Sequence, residues 1–163
     1  MPITSDEFRR ALGQFASGVT AVTTRDGQGR PLGLTVSAFC SVSLQPPLVL
    51  VCVDRTSEAH GAFRESGLFG VSVLSEGQEE ISRRFAWPGD TKFDAGLIPG
   101  RTGVPLVKDA LVHLECRLSA AHEAGDHTVF VGEILETAVR AGRPLLYHRG
   151  LYRRLDADPG EPT

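Results

Sequence analysis

Four short stretches of this chain hold the side chains that could do chemistry. Residues 33–43 read GLTVSAFCSVS, with Thr35, Ser37, Ser41 and Ser43 all at odd positions. Odd positions of a strand share one face, so the pattern predicts a row of hydroxyl donors able to hold a flat ligand. RTSEAH, residues 55–60, offers Ser57 as the cap of a short helix. Arg83 and Arg84 stand side by side near the end of a second helical stretch, and Gly125-Asp126-His127 is a turn that can present an imidazole. Singly, each has a plain structural reading: a solvated strand face, a surface helix end, a turn histidine. Together they ask for one ligand with two parts. A flat part would need backbone and hydroxyl donors, and an anionic part would need hydroxyls, a helix N-terminus and arginine.

Other chemistries lack support in the sequence. GQGRPLG, residues 27–33, has the wrong glycine spacing for a phosphate loop and leads into the β-patterned LTVSAF instead of a helix. No His or Cys pair stands at zinc spacing. His113-x-Glu115-Cys116 falls in a predicted strand whose neighbours point opposite ways, so no metal is assigned. No Gly-x-Ser-x-Gly elbow is present. A formal net charge of −3 supplies no basic field for nucleic acid. Cys40, Cys52 and Cys116 lie scattered in apolar or alternating stretches and read as reduced, structural thiols. No stretch approaches the roughly 20 apolar residues of a membrane span, and MPITSDEFRR has no apolar h-region, so a cytoplasmic protein is expected.

The elements that must position these groups follow from patterning. With 163 residues, one domain over residues 1–155 and a polar tail over 156–163 are expected. Thr4-x-x-Glu7 is a capping box, and Phe8, Leu12 and Phe15 recur on one face of a helix reaching about Ala16 or Ser17. GVTAVTTRDG reads as a strand and turn. Pro46-Pro47 divides the hydroxyl-bearing strand from LVLVCV, whose unbroken apolar run predicts burial on both faces. That burial needs more cover than three short helices supply, which predicts a homodimer. A helix follows Ser57 and ends at Gly67; LFGVSVLS is a strand, and SEGQEEISRRFAW a helix with Ile81 and Phe85 inward. Residues 88–105 predict a long surface loop, and the remainder at least three strands with Ala124-Gly125-Asp126 turning between two of them. Six or seven strands in hairpin sequence with three short helices predict an antiparallel barrel, not a doubly wound parallel sheet.

Flavin mononucleotide, or the flavin half of FAD, meets the two-part ligand description. In order and over nearly the whole chain, GVTAVTT, GLTVSAFCSVSLQPPLVLVCVDRTS, LFGVSVLS, SRRFAW with TKFDAG, GDHTVFVGEI and LLYHRGLYRRL resemble the short-chain flavin reductases. These are the reductase components of two-component flavin-dependent monooxygenases. The resemblance implies a mainly β, antiparallel Greek-key split barrel with a few short helices. It implies an NAD(P)H:flavin oxidoreductase that reduces FMN or FAD with NADH or NADPH and supplies a separate oxygenase. The backbone and hydroxyls of Thr35, Val36, Ser37 and Ala38 would then line the isoalloxazine, with Phe39 nearby. Val53, Asp54 and Ser57 would contact the ribityl chain and phosphate, with Arg84 and Phe85 closing over them. His127 would stand where the nicotinamide stacks, and Tyr152 would flank that pocket. Ala38 departs from the second serine often found there. Two further readings are a reductase or oxidase that keeps FMN bound for another acceptor, and a non-catalytic flavin- or haem-binding module.

Overall fold

The computed structural model describes residues 2–89, 93 and 96–156. Its centre is a seven-stranded antiparallel sheet of order β3-β2-β6-β9-β10-β5-β4. These strands are β2 (Thr20–Arg25), β3 (Pro31–Val36), β4 (Phe39–Leu44), β5 (Pro47–Asp54), β6 (Leu68–Val73), β9 (Val112–Ala124) and β10 (His127–Val139). A second sheet joins β1 (Ser17–Gly18) to the hairpin β11 (Leu146–His148) and β12 (Leu151–Arg153), and β7 (Leu97–Pro99) pairs with β8 (Pro105–Val107). Three helices complete the fold among the described residues: α1 (Ser5–Leu12), α2 (His60–Ser66) and α3 (Glu79–Phe85).

The two edge strands of the large sheet, β3 and β4, are consecutive in the chain and joined only by Ser37 and Ala38. The sheet therefore curls until its edges meet at that link, while no ladder connects β3 to β4. The antiparallel, mainly β expectation holds, with the opening falling on the hydroxyl-bearing segment. The curl encloses Val22, Val51, Val53, Phe69 and Phe130, against which α2 packs Phe63. Phe130 stacks on Phe63 at 5.1 Å between ring centres. Gly132 stands at an irregularity in the β9–β10 register, and a Cβ there would lie 2.3 Å from the Phe69 ring, so the ring's position requires glycine.

Four expectations need correction. Helix α1 stops at Leu12, capped by Gly13, whose N–H bonds the Arg9 carbonyl; glycine's poor helix propensity ends it a turn early. Its capping box forms, but none of its residues is buried, and Phe8, Leu12 and Phe15 all face solvent. The LVLVCV strand is not buried on both faces. Val49, Val51 and Val53 enter the core, whereas Leu50 and Cys52 alternate outward and are half-buried. The segment read as a surface loop carries the β7–β8 hairpin, with Val104, Leu106 and Val107 buried and the Thr23 hydroxyl bonded to the Pro105 carbonyl. Residues 90–92 and 94–95 of that segment and 157–163 of the tail lie outside the described residues.

Candidate active site

Two grooves flank the end of β3, the apolar one lined by Ser37 and Ala38 and the polar one stopping at Thr35. The polar one, about 460 Å³, has Leu34 and Thr35 of β3 on one side, Asp54, Thr56, Ser57 and Glu58 on the second, and Phe85, Ala86, Trp87 and Pro88 at the end of α3 on the third. The apolar one, about 700 Å³, runs between α1 and β5, with Phe8, Leu12, Phe15, Ser37, Ala38, Phe39, Cys40, Leu50, Cys52 and Tyr147 among its walls. Leu50, Cys52 and Asp54 alternate along the outward face of β5, so this one strand leads from the apolar groove into the polar one.

Each wall has an identifiable cause. Edge strand β3 pairs only with β2, and β4 only with β5; between them the Ser37 and Ala38 carbonyls accept from the Phe39 and Cys52 N–H groups, and the N–H groups of Ser37 and Ala38 lie outside every ladder. At the acidic wall, Asp54 Oδ1 accepts from the Thr56 N–H and hydroxyl, both at 2.7 Å. Those two bonds hold the Asp54 carboxyl below the usual range, against a small opposing effect of burial and with help from the His127 and His60 imidazoles. Ser57 Oγ accepts from the Ala59 N–H at 3.3 Å, one turn ahead of α2, whose cap residue is Ala59. Ser57 thus caps the turn before the helix and not the helix itself.

Helix α3 is seated on β3 by Gly33 and Thr35 and braced by Tyr152 of β12. Gly33 leaves room for Phe85: a Cβ there would lie 3.1 Å from the ring and 2.8 Å from the Val22 carbonyl oxygen. Thr35 Oγ1 donates to the Ser82 carbonyl at 2.6 Å. The buried Ser82 Oγ shares a 2.7 Å hydrogen bond with the Tyr152 hydroxyl, and the Arg83 guanidinium lies 4.9 Å from the centre of the Tyr152 ring. Thr35, predicted as a donor to a ligand, already donates to α3. Tyr152 lines neither groove and braces α3 from the C-terminal hairpin.

The other predicted residues divide in the same way. Ser37, Ala38 and Phe39 line the apolar groove and Asp54, Ser57 and Phe85 the polar one, whereas the side chains of Val36 and Val53 are buried in the core. Arg84 is engaged with Glu80 at 3.1 Å on an exposed face of α3 and does not line the groove. His127 opens β10 directly opposite Asp54, with Nδ1 2.8 Å from Asp126 Oδ1. Asp126 in turn accepts from the Arg55 N–H through its carbonyl, tying the two turns together. From β10 across β5 to β4 is two strand spacings, so His127 lies roughly 10 Å from the Ser37–Ala38 link.

Sequence reasoning missed Leu34, Thr56, Glu58 and the run Ala86-Trp87-Pro88. Trp87 carried a signal, since it is the chain's single tryptophan and sits in the polar, Pro/Gly-containing end of a helical stretch. No cluster of three metal-ligating side chains occurs among the described residues. Cys116 is buried, which pushes its thiol up to about 12, and burial raises Cys52 with help from nearby Cys40. Among the described residues no helix is long and apolar enough to cross a membrane.

Residues 12–156 match the model of the flavin reductase like domain. The chain is 45% identical over 150 residues to FMN reductase (NADH) SmoA of Agrobacterium fabrum, covering 92% of this chain and 86% of that protein. Among solved structures, NADH:FAD oxidoreductase SgcE6 of Streptomyces globisporus, in complex with NAD and FAD fragments, superposes with a TM-score of 0.89 at 37% identity, over 98% of this chain and 99% of that one. BorF, the flavin reductase component of a bacterial two-component tryptophan halogenase, gives 0.88 at 40% identity, over 95% of this chain and 100% of that one.

Proposed function

The chain belongs to the flavin reductase family, and from that premise we propose that it is an NADH-dependent flavin reductase that supplies reduced flavin to a separate monooxygenase. The observation that carries the reading is an apolar and a polar groove joined along the outward face of β5, from Leu50 and Cys52 to Asp54. A flavin is amphipathic in the same sense, with a flat ring and a polar ribityl phosphate. When bound, it supplies the acceptor for the hydride of NADH, and the protein contributes binding, orientation and exclusion of water.

The residues fit that division of labour. The N–H groups of Ser37 and Ala38, outside every ladder, suit the polar edge of the ring, and Phe39 and Cys52 suit its apolar face. Thr56 and Ser57 offer hydroxyls to the ribityl phosphate beside Asp54. Arg84 needs only to leave Glu80 to reach that phosphate, and an exposed pair of this kind is worth at most about 1 kcal/mol. His127, fixed by Asp126 and facing Asp54, orients the nicotinamide over the ring. No side chain in this arrangement has to move a proton for the hydride step.

The unburied apolar faces of α1 and β5 favour a homodimer in which a second copy covers Phe8, Leu12, Phe15 and Leu50. The dinucleotide chemistry favours a cytoplasmic setting. The test is NADH oxidation by purified protein with FMN, FAD and riboflavin, together with light scattering. Turnover dependent on added flavin, by a species of twice 17.5 kDa, is expected. A protein that consumes no NADH with any flavin would overturn the reading, and flavin retained through gel filtration would favour a permanently bound cofactor instead.

A further inference from the structure

The reductase reading leaves the choice of flavin open, since one relative is named for FMN and another for FAD. We propose that Trp87 is a stacking platform for the adenine of FAD and makes this chain select the dinucleotide over FMN; the proposal rests on the flavin reductase reading.

Trp87 stands on the rim of the polar groove and is 73% exposed, an unusual setting for the side chain with the largest apolar surface. Its mounting is firm. The Trp87 N–H donates to the Arg84 carbonyl at 3.2 Å, Phe85 beneath it is buried over Gly33, and Pro88 restricts the backbone that follows. A fixed, exposed aromatic ring loses little freedom when a flat partner lies on it.

The groove's charge indicates which flat partner. Its lining holds two carboxylates, Asp54 and Glu58, and no lysine or arginine. That acidic wall accepts hydrogen bonds from sugar hydroxyls and from an exocyclic amine, and adenosine carries both. Glu58 also lines a second cleft, about 640 Å³, that continues along β3 past Leu32. Through Glu58 the polar groove thus opens onto further space between α2 and β3. The isoalloxazine is a poor alternative occupant for Trp87, because its edge is best served by the unladdered Ser37 and Ala38 on the other side of Thr35.

Base-on-aromatic stacking changes affinity by roughly tenfold or more. Steady-state kinetics of wild type, Trp87→Ala and Trp87→Phe with FAD, FMN and NADH test the proposal. Wild type is expected to prefer FAD. Trp87→Ala should lower the FAD-to-FMN ratio of kcat/KM about tenfold, and Trp87→Phe should keep most of it. Because Trp87 is the only tryptophan, its fluorescence reports the groove alone. ADP, which does not absorb the emission, should quench it, and excess FAD but not riboflavin should displace the ADP. Equal losses for FAD and FMN, a rise in KM for NADH alone, or no change in the ratio would each overturn the adenine assignment. Absence of NADH oxidation with every flavin in wild type would instead sink the reductase reading.

Discussion

Replacing Tyr152 by Phe removes one oxygen atom and separates two accounts of that residue. The sequence suggests a wall of the nicotinamide pocket; the structure has the hydroxyl bonded to Ser82, holding α3 to the C-terminal hairpin. The ring and its contact with Arg83 survive the substitution. What is lost is a 2.7 Å bond whose other partner, Ser82 Oγ, is fully buried. Leaving a buried hydroxyl unsatisfied costs about 1–3 kcal/mol. Ser82 has an alternative, because a helical serine can turn its hydroxyl to the carbonyl four residues back, here Gln78. The cost should therefore fall near the lower end, about 1 kcal/mol, which lowers the melting temperature of a domain this size by about 2–4 °C.

The kinetic consequence follows from where α3 ends. Phe85, Ala86, Trp87 and Pro88 form one wall of the polar groove, and with Tyr152→Phe that wall keeps the hold of Thr35 and of Phe85 over Gly33 but loses the hydrogen bond that ties α3 to the C-terminal hairpin. About 1 kcal/mol of lost preorganisation corresponds to roughly a fivefold rise in KM for flavin. Hydride transfer at saturating flavin, followed by stopped flow under anaerobic conditions, should stay within twofold of wild type. A fall in that rate, or weaker NADH binding with flavin KM unmoved, would refute the bracing role and return Tyr152 to the nicotinamide pocket.

Three further outcomes are expected. Arg84→Ala should raise KM for FMN about tenfold and leave riboflavin, which lacks the phosphate, almost untouched; parallel losses measured in the same NADH assay would place Arg84 outside the site. His127→Asn should slow turnover with NADH while the flavin dissociation constant, read by fluorescence titration, stays within about twofold. Glu115 is 5% exposed; burial works to raise its pKa, but bonds from the Thr102 hydroxyl, the Thr102 and Arg101 N–H groups and the Arg101 charge outweigh this and hold it low. Its stabilising effect is therefore complete above the ordinary glutamate range and lost as pH falls through the depressed value. Glu115→Gln should cost roughly 2 kcal/mol at pH 7 by urea unfolding, and the deficit should shrink on acidification below about pH 4.

The β architecture was legible because period-two patterning and turn residues are local signals. Asp26-Gly27 and Gly125-Asp126 mark the hairpins that join β2 to β3 and β9 to β10. The β7–β8 hairpin was not legible, since its strands are three residues long and owe their place to burial of Val104, Leu106 and Val107 under β2 and β6. The site split along the same line. Ser57 was legible in its RTSEAH segment and Asp54 through the family resemblance, and both line the polar groove. The spent hydroxyl of Thr35 could not be foreseen, because its acceptor lies 47 residues away on a helix whose docking depends on Gly33 and Phe85.

That division bears on how the protein earns its rate. A reaction whose electron movement belongs to flavin and nicotinamide leaves the chain little to do beyond placing two rings against each other, and placement is a property of walls. In this chain one wall is edge strand, whose free backbone groups are fixed by the curl of the sheet. The facing wall is a seven-residue helix, too short to hold its own shape in isolation, and held by Thr35 across the groove and by Gly33 and Tyr152 outside it. Substitutions at Gly33 and Tyr152 should therefore act on flavin affinity from positions that touch no ligand, while Ser37 and Ala38 tolerate side-chain change as long as their backbone path is kept.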